Sequence, residues 1–484
     1  MKKKNLSLIL AVCCLLSAAS GCSNGKKTED NGETVTLKWF IPCDPQKDSA
    51  IVLEEFNKRL KEKINAQLDL QILDFGAYEE RMKMNMTADT DFDLMFTGFL
   101  NKYKTCVDME CLYPLDDLLK DSKLKTEIIP DFVWNDATRD GKIYAVPNYQ
   151  IMATQRCLIF QKEIIDKYGW DITSLKRTED IEPLLEEIKT KEPGMYPFRS
   201  DWGLESFASY DDPTFFDYQT CGVVVTVDDN NNAKCEILLE REDTKYKAKK
   251  LNDWFKKGYI RKDIVSVNDD SQDQKSGKYA IEVNNYKPGG DKEGSSTRNY
   301  TIVSQCIGQP YLNPGASTAA MTGIYDGSKH PEKAFELIEL LNTDKEMFNL
   351  LCYGIEGKHY NKTGDDRIEL IQDSGYCIQP WILGSQFNAY FVGDQSDKDW
   401  EDTIKMNNEA KKSKLLGFVF DNDDLRTEIS QIENVISKYK IIKTGAEDPD
   451  SYWDEYLAEL KQAGVEKVRD ELQKQVDEFL KNSK

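Results

Sequence analysis

An α/β chain of at least two domains is predicted from three observations. Segments of period two alternate with segments of helical spacing between Val35 and Phe96, a second such series begins at Cys157, and 463 residues remain behind a leader-like N-terminus. A single hydrophobic core stops growing at roughly 250–300 residues, so a body of this length divides.

Val35, Leu37, Trp39 and Ile41 alternate as a strand that Pro42 stops, and Ile51, Val52, Phe56, Leu60 and Ile64 then line one face of a helix. Leu68, Leu70 and Ile72 predict a second strand, Tyr78 to Ala88 a helix, and Phe92, Leu94 and Phe96 a third strand. Strand, helix, strand, helix, strand with short connections means a parallel sheet covered on both faces. Ligands of such sheets sit at the carboxyl ends of the strands, which points to Trp39–Asp44 and Thr97–Leu100.

The second series holds a strand at Ile159-Phe160, helices over 162–167 and 181–191, and strands over 218–227 and 234–239 around the polar turn Asp228 to Asn232. That turn lacks the Gly and Glu of a calcium loop, having Ala233 and Leu239 at those positions, so it is read as a hairpin. Tyr300 to Ser304 is a strand. Pro331 opens a helix with Ala334, Phe335, Ile338 and Leu341 on one stripe, Thr343 and Glu346 form a capping box for the next, and Gly354 closes it. The last third is helical, with stripes at Leu425, Ile429, Ile432 and Ile436 and at Val465, Val468, Leu472 and Phe479.

Lys2, Lys3 and Lys4, an apolar run from Leu6 to Ala19 and the small residues Ala19-Ser20-Gly21 read as a secretory signal, residues 1–21. The run is shorter than the roughly 20 residues a membrane span needs. Cys22 after those small residues resembles a bacterial lipobox, whose cysteine carries a diacylglycerol; otherwise it is an incidental cysteine after an ordinary signal. Residues 22–33 form a flexible tether, since Ser23 to Glu33 hold no apolar side chain. The expected location is the extracellular face of the cell membrane.

The formal net charge is −21, or −24 without Lys2, Lys3 and Lys4, which argues against nucleic acid or anionic lipid as a partner. Nine cysteines follow Cys22, an odd and scattered set without CxxC, and are read mostly as buried thiols, with a local bridge between Cys106 and Cys111 as the exception to watch. Only His330 and His359 exist, neither at ligand spacing from a cysteine pair, so no metal and no cofactor is expected.

The lipobox, the strand with Trp39 and Pro42, Phe92-Asp93-Leu94-Met95-Phe96 and Ile143-Tyr144-Ala145-Val146-Pro147 together resemble the solute-binding proteins of carbohydrate ABC transporters, the family of maltose-binding protein. Gly354-Ile355-Glu356-Gly357-Lys358-His359-Tyr360, Gly417-Phe418, Leu460-Lys461-Gln462-Ala463-Gly464 and Gln473-Lys474-Gln475 are similar to a C-terminal domain of uncharacterised role, DUF3502-like, in one lipoprotein subgroup. The resemblance implies a type II periplasmic-binding-protein-like fold: two α/β lobes, residues 34–152 with 316–353 and residues 153–315 with 354–484, around a ligand cleft. It further implies crossings near Asn148–Arg156, Leu312–Ala319 and Cys352–Lys358, closure about a hinge, and a monomer that hands a small-molecule ligand to permease subunits.

A sugar cleft needs flat aromatics beside paired polar groups. Trp39 and Tyr78, at a strand end and a helix start, are stacking platforms or core; Thr97 and Gly98 follow a strand and permit close backbone approach. Tyr149 and Arg156 flank the first crossing, where the arginine either holds a diol or carboxylate or bridges the lobes. Trp202 lies in a polar, aromatic loop, and Trp381 and Asn388 are the choices from the subgroup segment. Asn285 and Tyr286 end a strand whose following loop, by the resemblance, faces the cleft, while Tyr452 and Trp453 are read as helix packing. The leading reading is a non-catalytic lipoprotein that binds an oligosaccharide. The alternative is a surface glycoside hydrolase with two acidic residues, although no GxSxG, HExxH, phosphate loop or metal cluster is present.

Overall fold

The computed structural model describes residues 32–139, 141–207, 222–267 and 270–482; Cys22, with the signal and most of the tether, lies outside the described residues. Strands β1 (Val35–Pro42), β2 (Ala66–Leu73) and β3 (Leu94–Gly98) alternate with helices Ser49–Ile64 and Phe75–Thr87, and β2 and β3 flank β1 in parallel. After β4 (Ala145–Pro147) the chain enters a second sheet with β5 (Arg156–Gln161) and β6 (Tyr196–Arg199). A hairpin of β7 (Val223–Val227) and β8 (Ala233–Ile237) follows, then β9 (Tyr279–Asn285) and β10 (Ile302–Cys306), which complete that sheet in the order β10-β5-β9-β6. The chain returns through β11 (Tyr311–Leu312) to β12 (Ala320–Ile324), inserted antiparallel between β3 and β4, so the first sheet runs β2-β1-β3-β12-β4. A small sheet of β13 (Tyr360–Lys362), β14 (Arg367–Leu370) and β15 (Phe391–Val392) precedes β16 (Lys411–Lys412), which pairs in parallel with β11.

Period two in Val35–Ile41 places Leu37, Trp39 and Ile41 on one face at 0% exposure, and the stripe Val52, Phe56 and Leu60 packs with them. The Asp228–Asn232 turn is the expected hairpin: the Asp228 carboxylate accepts from the amides of Asn230 (2.9 Å) and Asn232 (2.8 Å). The capping box at Thr343 is corrected. Asp344 caps the Lys345–Tyr353 helix by accepting from Met347 N–H at 3.0 Å, while the Thr343 hydroxyl donates back to the Glu339 carbonyl at 2.7 Å within the preceding helix.

Three large cores result among the described residues. The first holds the first sheet with residues from Leu37 to Ala153 and from Leu312 to Ala410. The second surrounds β5, β6 and β9 with Leu185, Ile188, Leu251 and Trp254. The third joins the β7–β8 hairpin to the C-terminal helices Arg426–Lys438, Trp453–Gln462 and Val465–Asn482. Assigning all of residues 354–484 to the second lobe is therefore corrected, because Tyr360, Ile368, Tyr376, Ile378, Ile382 and Tyr390 bury in the first core.

The expected third crossing at Cys352–Lys358 is corrected with it. Gly354, at φ 78°, turns the chain back, and a Cβ there would lie 2.5 Å from His359 Nδ1. The Ile355 amide donates to that nitrogen at 2.9 Å, and Lys358 reaches Asp48 of the first lobe at 2.7 Å. Further on, Ala410 buries in the first core and Leu415 in the third, with Leu416 still packed against the first. Eight cysteines are described as free thiols, Cys106 and Cys111 among them, and Cys221 lies outside the described residues.

Candidate functional site

Three segments pass between the lobes and pair with one another. Thr154 and Tyr311 exchange backbone hydrogen bonds (2.8 and 3.0 Å), Lys411 N–H donates to Pro310 (3.0 Å), and Ser413 N–H donates to Leu312 (2.9 Å). Asn407, fully buried on helix Asp397–Glu409, clamps the first segment. Its oxygen accepts from the amides of Met152 (2.8 Å) and Ala153 (3.0 Å), and its amide donates to the Gln150 carbonyl (2.7 Å). Such a ribbon fixes the lobe ends while leaving bending to a few backbone angles.

On the first lobe, the carboxyl end of β3 carries Phe99, 50% exposed. Trp381, half-buried on the short helix Pro380–Leu383, lies with its ring centre 5.9 Å from Phe99, 6.0 Å from Phe96 and 6.4 Å from Phe75. Asn148 fixes that helix, donating to the carbonyls of Trp381 (2.9 Å) and Ile382 (3.1 Å) while accepting from the Thr322 hydroxyl (3.1 Å). An exposed aromatic edge offers a flat apolar surface of the kind that suits C–H faces.

On the second lobe, Arg156 opens β5 with no exposed surface, and its guanidinium carbon lies 4.1 Å from the centre of the Trp202 ring. Trp202 follows β6 and is half-buried. Beside it Arg199 serves three carboxylates, Asp270 (2.7 Å), Asp201 (2.8 Å) and Glu282 (3.3 Å). Loss of water around Asp201 pushes its carboxyl up to about 6, and the shared arginine only partly opposes this. Asn285 is exposed opposite Arg156 in the β5–β9 register, and the Tyr286 amide donates to the Gln155 carbonyl at 2.6 Å. The Tyr286 ring packs against both the first core and the small Cys157–Ile159–Ile302 cluster.

The lobes also touch through side chains. Lys292, on helix Gly290–Ser296 after β9, pairs with Asp399 at 2.8 and 3.0 Å, and Gln395 donates to Glu293 at 3.3 Å. A separate groove of about 680 Å³ lies on the first lobe between helices Ser49–Ile64 and Lys345–Tyr353, and neither the aromatic groups nor the Arg156 and Arg199 clusters line it.

Several expected site residues are scaffold. Trp39 is fully buried in the first core. Tyr78 is also buried, its hydroxyl accepting from Phe96 N–H at 2.9 Å and lying 3.0 and 3.1 Å from the carbonyls of Phe96 and Phe40, so it ties its helix to β1 and β3. Thr97 is buried and donates to the Asn101 carbonyl at 2.5 Å. Gly98 serves a backbone approach rather than a ligand: at φ 138° a Cβ would fall 2.2 Å from the Ala319 oxygen. Asn388 donates to Leu341 O (2.8 Å), and Tyr149, 3% exposed, stands edge-on to Phe387 at 4.8 Å. Arg156, Trp202, Asn285 and Tyr286 gather at one sheet end of the second lobe, and Trp381 stands with Phe99 at a sheet end of the first. Phe99 lies within the expected segment Thr97–Leu100 but was not named in it, and Phe75 was missed; the signal for Phe99 was a bulky apolar residue directly after Thr97-Gly98 at a strand end.

Two α/β lobes, three paired crossings and aromatic side chains at the sheet ends beside them define a two-lobe solute-binding protein of the periplasmic-binding-protein-like fold. The chain is 31% identical over 503 residues to a carbohydrate ABC transporter substrate-binding protein of Streptococcus pneumoniae, across 100% of this chain and 99% of that one. It belongs to the carbohydrate ABC transporter substrate-binding proteins. Residues 414–481 match a domain of unknown function, DUF3502. The structure is similar to that of the N-glycan transport solute binding protein (NgtS) of Streptococcus pneumoniae, with TM-score 0.80 and 29% identity, over 93% of this chain and all of that one. The same relative in complex with Man5GlcNAc superposes at TM-score 0.78, with 29% identity over 93% of this chain and 99% of that one. Likeness to the alginate-binding protein AlgQ2, at 15% identity and TM-score 0.63 over 92% of this chain and 98% of that one, concerns the fold alone.

Proposed function

We propose that this protein captures an oligosaccharide containing mannose and N-acetylglucosamine between its lobes and delivers it, uncleaved, to the permease subunits of an ABC importer. The observation that carries the reading is the pair of aromatic walls, Trp381 with Phe99 on one lobe and Trp202 over Arg156 on the other, at the sheet ends from which the crossing strands leave. Aromatic planes accept the C–H faces of pyranose rings, and exposed amides such as Asn285 serve their hydroxyl edges. The glycan bound by the NgtS relative supports this ligand class.

Lobe 1 in this reading is the first core, and lobe 2 is the second and third cores together. Closure about the ribbon of Thr154, Tyr311 and Lys411–Lys412 traps the ligand and creates the surface the permease reads. A diacylglycerol on Cys22 holds a monomer at the outer face of the membrane, two acyl chains being needed because one gives only marginal binding.

Calorimetry against a glycan panel, followed by mass analysis of the recovered sugar, tests the proposal. Saturable binding of intact mannose–N-acetylglucosamine oligosaccharide is expected. Silence across the panel, or cleaved product as a surface glycoside hydrolase would give, overturns it.

A further inference from the structure

We propose that Cys157 and Cys306 form a redox-closable pair, a disulfide site across strands β5 and β10 that a small disulfide in the surroundings oxidises. The two residues stand directly opposite each other in the antiparallel register. The flanking backbone bonds fix the kind of pair: Ile307 N–H donates to Arg156 O at 2.8 Å and Lys162 N–H to Thr301 O at 2.9 Å. Those positions, and every second pair between them, are the hydrogen-bonded ones, so Cys157 and Cys306 form a non-hydrogen-bonded pair, where Cα atoms lie about 4.5 Å apart. That separation falls at the short edge of the roughly 4.4–6.8 Å range that disulfides span. Both side chains share one face of the sheet, in the cluster with Ile159 and Ile302, and the Cys157 thiol donates to the Asn284 carbonyl at 3.3 Å.

The separation lies within the span a disulfide bridges, so the bond closes without moving the strands apart. Cys306 is half-buried and Cys157 buried, so Cys306 reacts first. Its thiolate attacks the small disulfide, forming a mixed disulfide and releasing one thiol. Cys157 then displaces the second thiol, and the pair has given up two protons and two electrons to the oxidant. Burial, with Asp291 on the facing helix, holds Cys306 up to about 11; burial and Cys306 itself, then Asp291, hold Cys157 up to about 12, against hydrogen bonding from Ser304 and the charge of Arg156. Exchange is accordingly slow at neutral pH and rises about tenfold per pH unit, as the thiolate fraction does.

The test uses the folded wild-type chain, incubated with oxidised glutathione at pH 8.5, alkylated and mapped without reduction. A cross-linked peptide joining Cys157 to Cys306, about 2 Da below the sum of its reduced halves, is expected, and Cys157→Ser should leave glutathione trapped on Cys306. Absence of that cross-link while exposed Cys377 takes up glutathione, or closure of Cys106 with Cys111 in its place, would overturn the assignment.

Discussion

Lys292 and Asp399 join the two lobes in an ion pair of 2.8 Å, and the same Asp399 carboxylate accepts from the Ser396 amide at 2.7 Å to cap helix Asp397–Glu409. That helix carries Asn407 one face further on, so one element both caps the contact between lobes and clamps a crossing strand. The Lys292→Met change should cost only about 0.2–1 kcal/mol in chemical denaturation, as expected of a half-exposed pair. Asp399→Ala should cost more, about 1–2 kcal/mol, since the cap is lost with the pair.

The pH dependence of that pair has a definite sign. Lys292 and the Ser396 amide hold the Asp399 carboxyl below the usual carboxylate range, against the cost of burial. Its folded value is the lower one, so its contribution is full above the unfolded pKa near 3.9 and is lost as pH falls through the folded value. Denaturation midpoints of the wild type and of Asp399→Asn should therefore converge below about pH 4 and differ at pH 7.

Asn407→Ala should destabilise by about 2–3 kcal/mol, because it leaves the buried amides of Met152 and Ala153 without acceptors. Thermal unfolding measures the loss. Asn407→Asp keeps the acceptor oxygens and should recover part of it.

Partial burial, joined by the carboxylates of Glu282 and Asp270, pushes the Asp201 carboxyl up to about 6, next to Trp202. Its folded value lies above the unfolded one, so ionisation opposes folding: the penalty is absent below about pH 4, grows between 4 and 6, and is full above 6. Tryptophan fluorescence should show a transition near pH 6 that Asp201→Asn removes.

The residues divide into walls and scaffold, and substitution separates them. Phe99→Ala and Trp381→Ala should each weaken glycan binding several-fold to about tenfold, since an aromatic contact contributes about 0.5–1.5 kcal/mol. Trp39→Ala should instead lower stability by about 3–5 kcal/mol.

How much was legible in the sequence follows from the length of each signal. β1, β2 and the helix between them were readable because eight-residue strands and a sixteen-residue helix carry full periods. The third crossing was not, because β16 is two lysines, with no period at all, whereas the segment expected to cross, Cys352–Lys358, turns back on the first lobe with Gly354 and Gly357 at positive φ. Trp39 and Trp381 show why burial defeats local reading. Each is an aromatic near a strand end or turn, and only the side chains packed over the face of the first sheet close water off from Trp39. Trp202 was legible as a loop aromatic, yet its placement over Arg156 depends on β5 and β6 lying on either side of β9.

The central claim, that one glycan is held by both lobes, is tested most directly by calorimetric titration of a mannose–N-acetylglucosamine oligosaccharide into wild type, Trp381→Ala and Trp202→Ala. The account predicts a single saturable site in the wild type, weakened by substitution on either lobe. Binding that is indifferent to one of the two tryptophans, or no binding in the wild type, would contradict it.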